Sequence, residues 1–183
     1  MRSILTPLSR LFRKDDRRDA VMPLYNAIVA EARNPYWYEA GGLKDTINGR
    51  FNMLITLIVL VLLKLESIDG QDEASVAITE LFVDDMDEQM RQQGIGDVVV
   101  GKRIGKMVSA LGGRLTVFRK TFLLSGDDRN TAMDALLKRN LYEDEDVSQE
   151  ALRSTRNALI ARYEGLQAHS TDRIFAGDLW SSL

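Results

Sequence analysis

The stretch FNMLITLIVLVLLKL, Phe51 to Leu65, constrains the fold of this chain more than any other. It is apolar on every face of a helical projection, and Arg50 and Lys64 close it in. At 1.5 Å per residue it spans only about 22 Å, short of the roughly 30 Å hydrocarbon core of a bilayer. A helix apolar all round and too short to cross a membrane has to be surrounded by protein. The segment therefore predicts the buried central helix of an α-domain, against the alternative of a membrane hairpin or re-entrant segment.

The remainder of the 183 residues agrees with an all-α, single-domain helical bundle. Three prolines in the whole chain favour long uninterrupted helices, and no segment alternates apolar and polar residues as a strand would. Residues 1–18 read as a separate basic amphipathic arm, and 19–183 as the helical domain. A helix is expected over Asp19–Arg33 with Pro23 in its first turn, stopped by Asn34-Pro35. Tyr36, Trp37 and Tyr38 then either pack a loop onto the core or present an anchor to a partner.

Two further helices, about 72–92 and 98–124, are separated by so short a link that an antiparallel pair follows. Gly94 suits the C′ position of the first and Asp97 the N-cap of the second. On the second, Val100, Ile104, Met107, Val108, Leu111, Leu115, Phe118 and Phe122 make an apolar arc beside a basic face of Lys102, Arg103, Lys106, Arg114 and Lys120. Gly101, Gly105 and Gly112 line the other border of the arc, which suggests close approach by a neighbouring backbone. Asp127 or Asp128 is placed to cap a helix running to Asn140. Ser148 is placed to cap the last long helix, with Val147 stapled onto Leu152. Short turns follow His169.

Composition removes most kinds of catalysis. There is no cysteine, and His169 is the one histidine, so thiolate chemistry and multi-histidine zinc sites are excluded. Neither GxGxxG nor GxxxxGK[ST] occurs. The net charge of −3 hides a sharp segregation: nine acids against Arg91 alone from Asp69 to Asp97, then six bases and no acid from Val98 to Gly126. Glu80, Asp84, Asp87, Glu88 and Arg91 share one helical face, either solvated or turned to a basic partner. Carboxylates at this spacing without Glu-x-x-His pairs make a poor metal centre, so a carboxylate- or metal-dependent enzyme stays a minor alternative. Asp85 projects into the apolar stripe and needs a cation or backbone donors, for which Arg103 and Arg114 are the candidates. The arm is either a mobile or docked helix or a contact with anionic membrane through Arg10, Arg13, Lys14, Arg17 and Arg18. Nothing calls for a nucleic-acid partner.

GRF ahead of the apolar helix, then FVDDMDEQMRQQGIGD, VVVGKRIGKM and GGR, together resemble the ubiquinol–cytochrome c chaperone family in its bacterial form. The matching residues are Gly49, Arg50, Phe51, Phe82, Asp85, Met86, Asp87, Arg91, Gly94, Gly96, Asp97, Lys102, Arg103, Met107, Gly113 and Arg114. The likeness runs over roughly 35–124. Gly101 stands where bacterial relatives often have proline, and Leu111-Gly112 where an aromatic pair is usual. The resemblance implies a cofactor-free, non-catalytic chaperone that binds newly made cytochrome b and promotes assembly of the respiratory bc1 complex. It makes Arg50, Asp85, Gly94, Gly96, Asp97 and Arg114 structural, and leaves Asp84, Asp87, Glu88 and Arg91 to meet basic client segments. A small partner subunit is compatible with it, as is a cytoplasmic protein peripheral to the inner membrane. A generic helical scaffold with another client is the rival reading.

Overall fold

The structure, a computed structural model, describes residues 6–92, 94, 96–143 and 146–180, and of 6–15 and Val98 the backbone alone. Among these residues seven α-helices follow in order: α1 (Thr6–Ala32), α2 (Ile47–Glu66), α3 (Asp72–Gln92), α4 (Asp97–Phe122), α5 (Gly126–Asn140), α6 (Gln149–Ala168) and α7 (Thr171–Phe175). A single 3-10 turn, Pro35–Trp37, lies between α1 and α2, and there is no strand among the described residues.

The apolar run becomes α2, whose side chains from Asn52 to Leu65 are all buried. It is packed by α1, α3, α4 and α6. Each buried Leu, Ile or Val contributes about 1.5–3 kcal/mol relative to exposure, so this one helix supplies a large share of the driving force. Length does not exclude a membrane span, contrary to expectation: α2 starts at Ile47, has 20 residues and is long and apolar enough to cross a membrane. Burial decides instead, since 78% of its most apolar window lies inside the bundle. Its polar residues are satisfied as burial requires. Thr56 Oγ1 donates to the Asn52 carbonyl at 2.8 Å, and Lys64 Nζ to the Gln167 carbonyl at 3.1 Å. Gly49 lets α2 start where it does: a Cβ there would stand 2.1 Å from the Lys44 carbonyl oxygen.

α1 is continuous where the sequence reading divides it at residue 18, and Pro23 sits in its interior rather than its first turn. Proline removes one backbone hydrogen bond there, but Val21, Leu24 and Ile28 on the same helix are buried, and their packing outweighs that local loss. The helix stops at Ala32 ahead of Asn34-Pro35, as expected. Trp37 is fully buried and donates Nε1–H to the Glu31 carbonyl at 2.9 Å, while Tyr36 reaches Ser154 of α6. The guanidinium of Arg162 lies over the Trp37 ring and pairs with Glu31 at 2.6 Å. The aromatic residues therefore fasten the α1–α2 loop to α6.

α3 and α4 are joined by residues 93–96 and pack on each other. Gly94 has φ +75°, the left-handed conformation of a helix C′ residue. Gly96, not Asp97, occupies the N-cap of α4; Asp97 lies one residue into the helix and its carboxylate meets Arg91. Likewise Ser125 precedes α5, leaving Asp127 and Asp128 in the first turn. Ser148 caps α6 as expected, its Oγ accepting from the Ala151 amide at 3.1 Å. The arc on α4 is buried at Val100, Leu111 and Phe118, but Val108 is exposed. Among the described residues no neighbouring atom lies within 4 Å of a Cβ built on Gly101, Gly105 or Gly112, so no described part of the chain makes the expected close approach.

Candidate functional site

Two surfaces come from the residues singled out above. On the acidic face of α3, Arg18 of α1 pairs with Asp84 and lies 3.6 Å from Glu80. Arg91 holds Asp87 on its own helix, with Nε–Oδ2 at 2.5 Å, and Asp97 across the turn. The Glu88 carboxylate accepts from the Gln92 amide at 3.2 Å. Mutual repulsion among these acids is thus relieved inside the chain, by Arg18 of α1 and Arg91 of α3. Arg18, one of the arm residues expected at a membrane, is engaged here, and the side chains of Arg10, Arg13 and Lys14 lie outside the described residues.

Asp85 does turn inward, but toward α1. Its Oδ2 accepts from the Tyr25 hydroxyl at 2.9 Å and its Oδ1 from the Gln89 amide at 2.9 Å. Burial, reinforced by the Asp85 charge, pushes the Tyr25 phenol above its ordinary value of 10.0. The expected arginine partners are elsewhere. Arg114 bonds the Asn52 carbonyl at 3.2 Å and the Asn52 Oδ1 at 2.6 Å. Asn52 in turn donates to Glu143 at 2.9 Å. Burial lowers the Arg114 guanidinium to about 10 despite the opposing charge of Glu143. Arg114 therefore clamps α4 onto α2 and leaves the exposed basic face. Arg103 stays exposed.

The second surface is an open groove of about 750 Å³ between the end of α1, the start of α2, the second half of α3 and the first half of α4. Val29, Phe51, Leu54, Met86, Met90 and Met107 give it apolar walls, and Arg33, Arg50, Arg103, Asp85 and Glu88 give it charge. Met86 and Met90 are at most 6% exposed and form its floor, while Ile47 at the rim is 72% exposed. Arg50 is held by Asp45 at 2.5 and 3.0 Å, and that contact lowers the Asp45 carboxyl below its usual range. The volume is that of a ligand-sized pocket, and three methionines supply adaptable apolar contact. Of the expected site residues the groove gathers Arg50, Asp85 and Glu88; Asp84, Asp87, Arg91, Asp97 and Arg114 lie apart from it. Arg33 and Ile47 were not singled out by sequence reasoning, and Met90 is legible there only as part of the apolar stripe of α3, because nothing in a linear pattern shows that four helix segments converge.

Among the described residues no group of three or more His, Asp or Glu side chains could hold a metal ion. A sequence model of the ubiquinol-cytochrome C chaperone family matches residues 39–181. The chain belongs to the ubiquinol-cytochrome C chaperone family. The crystal structure of the Cbp3 homolog from Brucella abortus is similar over 94% of each chain, with a TM-score of 0.76 and 27% identity. A search of curated proteins finds no match. The chain is thus a member of a chaperone family. Six residues carrying the family resemblance, Arg50, Phe51, Asp85, Met86, Arg103 and Met107, come from three helices and line the same groove.

Proposed function

We propose that this chaperone holds newly made cytochrome b through the groove between α1, α2, α3 and α4 and so promotes assembly of the bc1 complex. The observation that carries the reading is the convergence of those six residues on one open, methionine-lined cavity. A membrane protein awaiting its partners exposes apolar helical segments, and binding them needs apolar surface that tolerates different shapes. Unbranched methionine side chains provide it at Met86, Met90 and Met107. Holding requires no turnover, which agrees with a chain lacking cysteine and phosphate-binding loops. The acidic face is a secondary contact in this account, because Asp84 and Asp87 already have arginine partners. The protein works at the cytoplasmic side of the inner membrane, where the basic N-terminal helix makes peripheral contact with anionic lipid.

Affinity capture of the tagged full chain from the native membrane fraction tests the reading. Cytochrome b should be enriched with the wild type and lost with Met107→Lys, which puts an ammonium into the groove from a half-buried position. Equal capture by both proteins would remove the groove from the mechanism.

A further inference from the structure

The groove carries polar information as well as apolar surface, and its hydrogen-bonding state is uneven. Both Asp85 oxygens already accept bonds, from Tyr25 and Gln89. Glu88 accepts from Gln92, and Arg50 is occupied bidentately by Asp45. Arg33 at the end of α1 and Arg103 on α4 are exposed, and among the described residues their guanidinium groups make no hydrogen bond or ion pair. The groove therefore presents two open guanidinium forks beside two carboxylates, of which Asp85 is already hydrogen-bonded at both oxygens and Glu88 at one, around an apolar floor of Met86 and Met90. A guanidinium fork matches a carboxylate with two parallel hydrogen bonds, and it gains more from an anion than from a neutral acceptor.

We infer that the groove selects an apolar-faced helical segment carrying a carboxylate, seated with its apolar side chains on Met86, Met90 and Met107 and its acid between Arg33 and Arg103. This rests on the groove being the client site, and it specifies the class of client segment that enters: acidic and apolar, not basic. The arginine stems extend the apolar wall while their heads reach solvent, so one pair of residues serves both demands.

The test uses the full chain with fluorescein-labelled amphipathic peptides of about 18 residues, leucine-faced and otherwise neutral, differing in one rim residue: Glu, Gln or Lys. By fluorescence anisotropy the Glu peptide should bind the wild type about tenfold more tightly than the Gln peptide, and the Lys peptide most weakly. The R33Q/R103Q double variant should bind Glu and Gln peptides equally, and Met107→Lys should bind none. Equal affinities with the wild type, or a Glu preference that survives in R33Q/R103Q, overturns the inference. So does displacement of the Glu peptide by phosphatidylglycerol vesicles, which would make the arginines a lipid-headgroup site. Cytochrome b capture separates this inference from the chaperone reading. If R33Q/R103Q captures as much as the wild type, only the acidic selection falls. If the wild type captures none while the Glu preference holds, the selection stands and the client assignment falls.

Discussion

Asp84 and Asp85 are neighbours in sequence with opposite surroundings. The Asp84 side chain is 61% exposed beside Arg18, whereas Asp85 is half-buried and accepts from Tyr25, itself 5% exposed. Asp85→Ala leaves a buried hydroxyl without its acceptor and should cost about 1–3 kcal/mol. Asp84→Ala should cost under about 0.5 kcal/mol, the usual worth of an exposed pair. Denaturant midpoints check the contrast, and coincident midpoints would refute it. The same contact gives a pH dependence. Because the folded-state pKa of Tyr25 is raised above its unfolded value of 10.0, the stability it contributes is complete below about pH 10 and declines as pH climbs further. Tyr25→Phe should be less stable than the wild type at pH 7, by about 1–2 kcal/mol. The gap should narrow above pH 10, because only the wild type loses this contribution. A gap that widens with alkali would be the wrong sign. The sequence placed Asp85 inside the apolar stripe correctly and named the wrong partner. A helical projection gives the direction of a side chain on its own helix, and cannot say which other helix stands opposite.

At the scale of elements, α3 was legible to the residue, because its period runs unbroken between Asp69-Gly70 and Gly94. α1 was cut in two at residue 18 on the strength of its basic composition, and Pro23, expected in a first turn, lies inside one continuous helix. The α4 glycines were read as a sign of a close neighbour, and none of the described residues stands beside them. Two glycine substitutions should therefore act in opposite directions. Gly49→Ala forces a Cβ against the Lys44 carbonyl and should destabilise by about 1–3 kcal/mol, since backbone cannot move aside cheaply. Gly105→Ala meets no atom within 4 Å in an exposed helix interior and should stabilise by about 0.5–1 kcal/mol. Thermal melts of the two variants settle this. A destabilised Gly105→Ala would show that α4 owes its glycine to something other than helix propensity.

Across the whole molecule, the class of fold was readable because one segment cannot be exposed and nothing in the chain resembles a strand. The groove was not, since its walls come from residues 29 to 107 and exist only once α1 to α4 are packed. The acidic face was legible as a charge map but not as a closed one, because one of its counter-charges, Arg18, sits 66 residues from Asp84. Removing residues 1–18 should accordingly lower the melting temperature only slightly, by the loss of exposed ion pairs. It should also reduce co-sedimentation with anionic liposomes. Liposome binding undiminished by truncation would take the N-terminal helix out of membrane contact.

The central claim, a chaperone acting on cytochrome b through the groove, is tested most directly by the amount of assembled bc1 complex in a deletion strain. The strain is complemented with the wild type or with Met107→Lys, and another respiratory complex is measured in the same membranes. Deletion should lower assembled bc1 and spare the other complex. The wild type should restore it, and Met107→Lys should accumulate normally without restoring it. Normal bc1 in the deletion strain, or full restoration by Met107→Lys, would contradict the account.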